Sequence, residues 1–336
     1  MGLLVVIAAL GFGWNYAWRY AAQRLDTETT RLIAQSNDAG REIECDKRRV
    51  EGYPFRVGIF CDRLALYAER NGLSVKSGAF RSAAQFYRPG QIIAELDGPL
   101  AANLPGAGNY AADWNSMRAS VNVSLSGLRR ISIAANKLNL TGNDTAIQPA
   151  SSSSLKADAE SIELHLRPAE EEGHDDSVDL AFLADNLKVE SADLLPLPAI
   201  GIGADLRLDG MKSQLRPGFD IWRHLRANGV AGQIRHVQFM PVEGGNVTIS
   251  GPFDIGQDGI VNATLDIAVA DARSITALLK TMFPGQNDMW DQLHQGFAVL
   301  AASKGGDSNS RSVKVTIDRG QIFLGFFPVG EIPPLF

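Results

Sequence analysis

Cys45 and Cys61 are the chain's two cysteines. Without a Cys-x-x-Cys pair or clustered histidines beside them, their spacing suits a disulfide better than a metal site. Gly52-Tyr53-Pro54 lies between them as a turn signal, with strand-like flanks at 41–50 and 55–68. A hairpin there brings the two sulfurs together, and closing a loop of this size adds ~3 kcal/mol by the chain-entropy argument. Beyond this pair the chain is poor in chemistry. It has no GxSxG elbow, no HExxH, no GxxxxGK[ST] and no GxGxxG between a strand and a helix. His165, His174, His224, His236 and His294 are scattered, and His165 alternates with Leu164 and Leu166 as on the polar face of a strand. The acidic run Glu170, Glu171, Glu172, Asp175 and Asp176, with His174, lacks the glycine-punctuated spacing of a calcium loop and reads as an exposed hairpin tip. Lys47-Arg48-Arg49, flanked by Asp46 and Glu51, reads as a solvated turn, not a phosphate site. The sequence therefore predicts no catalytic residue, no metal, no cofactor and no enzyme.

The elements around these residues begin with an uncharged apolar run from Leu3, closed by Trp14, Tyr16, Trp18 and Tyr20. As a helix, residues 3–22 extend about 30 Å, the thickness of a bilayer core, with an aromatic belt at one end and Arg19 near enough to snorkel. Tyr20-Ala21-Ala22 is a poor cleavage site for a signal peptide. The expectation is an uncleaved transmembrane anchor over 1–23, followed by a polar helical stalk over 24–40. Arg19, Arg24 and Arg31 follow the span and no basic residue precedes it, which by positive-inside counting would hold the body in the cytoplasm. An initiation site upstream of Met1 with a basic leader removes that conflict. The disulfide then places the body in an oxidising compartment.

From Gly40 onward the pattern is period two. Ile131-Ser132-Ile133, Leu138-Asn139-Leu140, Ile162 to Leu166, Val178-Asp179-Leu180, Leu206-Arg207-Leu208, Val247-Thr248-Ile249, Leu265 to Val269 and Val313 to Ile317 alternate apolar and polar residues. Breaks at Asn71-Gly72, Thr141-Gly142-Asn143-Asp144, Asp209-Gly210, Glu243 to Asn246 and Asp258-Gly259 separate them. Half-buried antiparallel strands follow from this. The fold class is mainly β: an N-terminal transmembrane helix, then a large antiparallel body over 41–336, curved or sandwich-like, with an internal boundary near 141–154. Short helices are expected at 220–227, 271–281 and 287–301. A net charge of −6 and a pI near 5.5 exclude nucleic acid as a partner.

Gly52-Tyr53-Pro54-Phe55-Arg56, continuing to Asp62, with Ile93 to Leu100 and the closing Phe327 to Leu335, resembles domain-of-unknown-function family 2125 (DUF2125). The resemblance implies an alphaproteobacterial protein tethered to the inner membrane by a single pass, with its C-terminal body in the periplasm and no assigned activity. On its own physics the block is a structural turn: Pro54 fixes φ and holds Tyr53 extended, while Gly52 supplies a turn conformation open to positive φ. Beside the bilayer contacted through 3–22, the expected partner is a lipid or other hydrophobic ligand in an apolar trough. At the level of architecture this resembles AsmA-like and other bridge-type envelope proteins. The alternative is a non-enzymatic scaffold or assembly factor that binds another envelope protein through a strand edge or the apolar C-terminal tail.

Overall fold

A computed structural model describes residues 2–38, 40–68, 72–105, 108–124, 127–144, 153–170, 173, 175–191, 198–215, 221–242, 244–270 and 310–336. The fold is mainly β, and the chain divides into two compact units, Met1–Asp158 and Ala159–Phe336. The boundary falls inside strand β12 (Ser153–Pro168), past the low-complexity stretch expected to hold it.

The first unit opens with helix α1 (Gly2–Asp38), about 55 Å long at 1.5 Å per residue. Among the described residues no helix is long and apolar enough to cross a membrane. Asn15 and Arg19 fall inside the window expected to span one, and the transition to Arg24 and Asp26 is gradual. The polar half, expected as a stalk, continues the same helix and lies against the first strands of the sheet.

Those strands are long antiparallel hairpin arms, each bent once. The pairs β1 (Glu42–Asp46) with β2 (Arg49–Glu51), β3 (Arg56–Cys61) with β4 (Arg63–Ala68), β5 (Leu73–Ser77) with β6 (Phe80–Gln85), β7 (Arg88–Leu96) with β8 (Leu100–Leu104), and β9 (Gly108–Asp113) with β10 (Ser116–Ser124) each form one arm. The continuous β11 (Gly127–Asp144) completes the series. Register shows the continuity: Cys45 opposes Leu64 and Val50 opposes Ile59 across the first hairpin. The next arm pairs through Leu64 with Ser77 and Val57 with Ala84. β11 pairs with β10 through Ile133 and Ala119, then with β9 through Leu140 and Ala112.

The bends occur at one level, made by different means. Lys47 and Lys137 take positive φ of 48° and 52°. A Cβ on Gly78 would stand 2.7 Å from the Gly98 carbonyl oxygen, so only glycine admits the close crossing there. Trp114, buried at this level, donates its indole N–H to the Leu96 carbonyl at 2.8 Å. Such local irregularities turn a strand and move its side chains to the other face. β11 also corrects one expectation: Thr141 to Asp144 is not a break but the paired end of the strand, opposite Gly108 to Ala111.

The second unit is an up-and-down meander of β13 (Val178–Ser191), β14 (Ile200–Leu208), β15 (Val230–Pro241), β16 (Asn246–Ile255), β17 (Val261–Ala270), β18 (Ser310–Asp318), β19 (Gln321–Leu324) and β20 (Phe327–Glu331), each antiparallel to the next. Helix α2 (Ile221–Asn228) precedes β15, one residue later than expected. The helices expected at 271–281 and 287–301 lie outside the described residues.

The polar face of this meander carries an ion ladder. Asp179, 7% exposed, accepts from Arg167 at 3.1 Å and Arg235 at 2.7 Å, and Arg235 also reaches Asp205 at 2.9 Å. Arg235 sits where the register of β15 shifts against both β14 and β16, a bulge that aims it between the two carboxylates. Removing Asp179 takes a carboxylate partner from two arginines, one of them largely enclosed, and leaves Arg235 with Asp205. Asp179→Ala should cost about 3 kcal/mol in urea unfolding, whereas Asp318→Ala, at an exposed carboxylate, should change the midpoint within error.

Candidate functional site

Two features place side chains for contact with something outside the core, and both grow from local sequence. The first is the junction of α1 with the Gly52 to Arg56 turn. Trp14, Trp18, Asp26, Thr30 and Asn37 recur at helical spacing along one stripe of α1. Trp14 donates its indole N–H to the Pro54 carbonyl at 2.9 Å and meets Phe86 edge-on, with centroids 4.9 Å apart. Trp18 donates to the Arg56 carbonyl at 2.7 Å and stands edge-on to Tyr53 at 5.4 Å. Lower down, Asp26 and Thr30 hold Arg48 at 2.9 and 2.8 Å, and the Asn37 side-chain oxygen accepts from the Ile43 N–H at 3.1 Å. The helix thus runs along β1 and β2, and the turn block reads as a seat for the chain's own tryptophans. Gly52 is at φ +118°, and a Cβ there would press on the Arg56 backbone at 2.7 Å.

The expected disulfide joins Cys45 and Cys61, with Cα atoms 5.2 Å apart, just below this seat. The basic run beside it is consumed internally. Lys47 and Arg49 bind Asp62 at 3.3 and 3.0 Å, and Arg48 takes α1. Hydrogen bonds first from Arg49 and then from Lys47 hold the Asp62 carboxyl below the usual carboxylate range. The pairing therefore persists into moderate acid and is lost only as pH falls through that lowered value.

The second feature is the apolar face of the second unit. Register lines up Phe182 with Ala204, Ile202 with Phe239, Val237 with Ile249, Val247 with Val269, and Ile267 with Val313 across successive strands. Leu206, Leu208, Leu265, Ile267 and Val269, expected on one face, are all half-buried. Residues of a face closed by another layer become fully buried, yet among the described residues full burial here is confined to a few positions such as Val178, Ala184, Ala263, Val313 and Ile317. Leu164 and Leu166 of β12, also in the second unit, are half-buried, and in the first unit Ile131, Leu138 and Leu140 are half-buried and Ile133 is exposed.

Two further concavities mix polar and apolar lining. One of about 680 Å³ is lined by Lys76, Asn103, Asn109, Tyr110, Thr141 and Lys156 among others. Lys76 lies 5.6 Å over the Tyr67 ring and Lys156 pairs with Asp158. A smaller one carries the ladder of Arg81 with Asp97 and Glu95, the latter shared with Arg118. Of the histidines, His165 sits 3.0 Å from Glu163, and His236 opposes Asp205. At the acidic tip Asp176 accepts from the backbone and hydroxyl of Ser213, while Glu171, Glu172 and His174 lie outside the described residues. Among the described residues no group of three histidine, cysteine or carboxylate side chains could hold a metal ion.

A family model described as an uncharacterized protein conserved in bacteria, DUF2125, matches residues 18–333, and the chain belongs to that family. The match begins at Trp18, one of the two docked tryptophans. No curated protein and no solved structure matches.

If the seat is held as described, Trp14→Ala with Trp18→Ala should expose Arg19 and Arg24 to trypsin while leaving the β signal in circular dichroism intact. Cys61→Ser should lower stability by about 2 to 5 kcal/mol, and alkylation should label neither cysteine before reduction and both afterward.

Proposed function

We propose that this member of the family is an inner-membrane-tethered protein whose body lies in the periplasm and handles a lipid or another hydrophobic ligand on the apolar face of its second unit, without catalysing a reaction. The observation that carries the reading is the state of that face: aligned across β13 to β18, rich in Leu, Ile, Val and Phe, and half-buried. Apolar surface left in water costs about 25 cal/mol per Å², so a face of this kind is retained where something apolar meets it. The exposed apolar turns of α1, with Leu3, Leu4 and Leu10 near 70% and Phe12 at 79%, support the membrane tether. The Cys45–Cys61 bridge supports an oxidising compartment.

A second reading, a scaffold that docks an envelope protein, is favoured by the hairpin of β19 and β20. All five residues of β20 are exposed, and Phe326 beside it is 96% exposed.

The two readings separate by substitution. Phe239→Asp and Ile267→Asp should abolish binding of a fluorescent fatty acid while leaving the melting curve nearly unchanged, whereas Val178→Asp at a filled core position, 1% exposed, should unfold the unit. If all of them unfold, the face is closed core and the scaffold reading replaces the lipid one. In that case a photo-crosslinker at Phe327 traps an envelope protein, and Phe327→Glu with the crosslinker moved to Val329 does not. A reporter fused at Phe336 should be active only in a form that requires export; cytoplasmic activity overturns the compartment.

A further inference from the structure

The first unit ends, on the side of Trp14, in a rim of hairpin tips. Register sets them level: Arg56 opposes Gln85, Gln85 opposes Arg88, and Ser124 opposes Gly127, with Asn122 opposite both Gln91 and Arg130. Trp14 touches two of these tips at once, through the Pro54 carbonyl and the Phe86 ring. From the residue before Trp14 back to Leu3, α1 is apolar and exposed. The rim therefore stands at the level where the helix leaves the sheet.

Its composition is specific. Tyr53, Phe55 and Tyr87 are exposed at 51%, 63% and 63%. Arg56, Arg88, Arg129 and Arg130 are all exposed, and none forms an ion pair among the described residues. The carboxylate at this end, Glu51, is already held by Arg49 at 2.9 Å. Elsewhere in the unit Arg63 pairs with Asp46, Arg81 with Asp97 and Arg118 with Glu95, while among the described residues Arg19 and Arg41 also form no ion pair but stand singly. In a chain of net charge −6, four unpaired arginines interleaved with three exposed aromatics are not a random surface. Aromatics that sit at headgroup depth and arginines that pair with lipid phosphates are the two chemistries of an anionic membrane surface.

We propose that this rim is a docking surface for the anionic phospholipid headgroups of the membrane into which α1 inserts, so that the first unit sits directly on the bilayer, held at two points. The proposal rests on the membrane reading above. Helix insertion supplies the composition-independent attachment, and the rim adds an attraction that depends on anionic lipid and is screened by salt.

The test uses the full chain and flotation with two kinds of vesicle, phosphatidylcholine alone and an equal mixture with phosphatidylglycerol. Ile7→Glu with Leu10→Glu removes insertion and leaves the rim intact. This variant should lose the neutral vesicles and keep the anionic ones, with binding that falls as salt rises. Adding Arg88→Gln, Arg129→Gln and Arg130→Gln should weaken anionic binding by about 100-fold, about 5-fold per charge, with an unchanged melting curve. The corresponding lysine substitutions should restore it. The rim proposal is overturned if the glutamine variant binds anionic vesicles as well as its parent, or if the helix variant binds neither vesicle. If instead the helix variant still binds neutral vesicles like the natural chain, the tether through α1 is wrong, while the arginine comparison continues to decide the rim.

Discussion

A bend in one strand of a sheet must be matched by its neighbours, because ladder hydrogen bonds run on both sides of every interior strand. That constraint organises the first unit. Lys47, the Asp62 junction, Gly78, the segment from Asp97 to Pro99, Trp114 and Lys137 all lie at one level of successive strands, and the bonds close across them: Asp62 N–H to the Asp46 carbonyl, Gly78 N–H to Asp97, Asn115 N–H to Asn136. Each strand bends by its own device. Two use a positive-φ lysine, one a glycine where no Cβ fits, one a buried tryptophan bonded to the neighbouring strand. The disulfide lies at this level as well, fastening the strand of Cys45 to that of Cys61 where the bend at Lys47 and Arg48 interrupts the ladder.

In the second unit a bulge serves charge instead of curvature. Arg235 is the residue that both neighbouring ladders skip, and that displacement lets one guanidinium reach two carboxylates on two strands. Beside it Arg207 and Ser177 meet on Asp209 at 3.0 and 2.8 Å. The polar face is thus held by directional bonds between strands. The apolar face needs no second layer to fix the register, which is consistent with its aliphatic residues being half-buried while the meander stays ordered.

How much of this was legible follows from what is local. The hairpin, its turn and its disulfide were readable because Cys45, Gly52, Pro54 and Cys61 all act within one short segment. The bends and bulges were also written in the sequence, as changes of parity: Ile131 and Ile133 give way to Leu138 and Leu140, Phe182 and Ala184 to Leu187, and Ile234 to Val237 and Phe239. Each flip coincides with an irregularity of the backbone: positive φ at Lys137 without a change of register, and bulges at Asn186, φ 52°, and at Arg235. Read singly they look like the boundary between two strands. Thr141 to Asp144 misled for the opposite reason, since glycine, asparagine and aspartate favour turns in isolation, and only pairing with β9 makes them strand. Trp14 and Trp18 read as a membrane belt because the partners that claim their indole N–H groups lie about forty residues away. Their four-residue spacing, continued by Asp26 and Thr30, was the available sign of a docked face.

The two terminal strand edges are treated differently, and the difference bears on function. The outer edge of β1 and β2 is followed by α1, with Asn37 satisfying the free Ile43 N–H and Arg48 tied to Asp26 and Thr30. An uncovered edge invites pairing with other chains, and here the protein's own helix covers it. β20 has no such cover among the described residues. Pro328 instead removes one donor from that edge, and Glu331 sets a charge at its end, both of which discourage indiscriminate strand addition. Phe326, Phe327 and Val329 nevertheless stand exposed along it. An edge guarded against open-ended pairing but furnished with aromatic side chains is suited to a selective apolar contact, made by side chains more than by backbone.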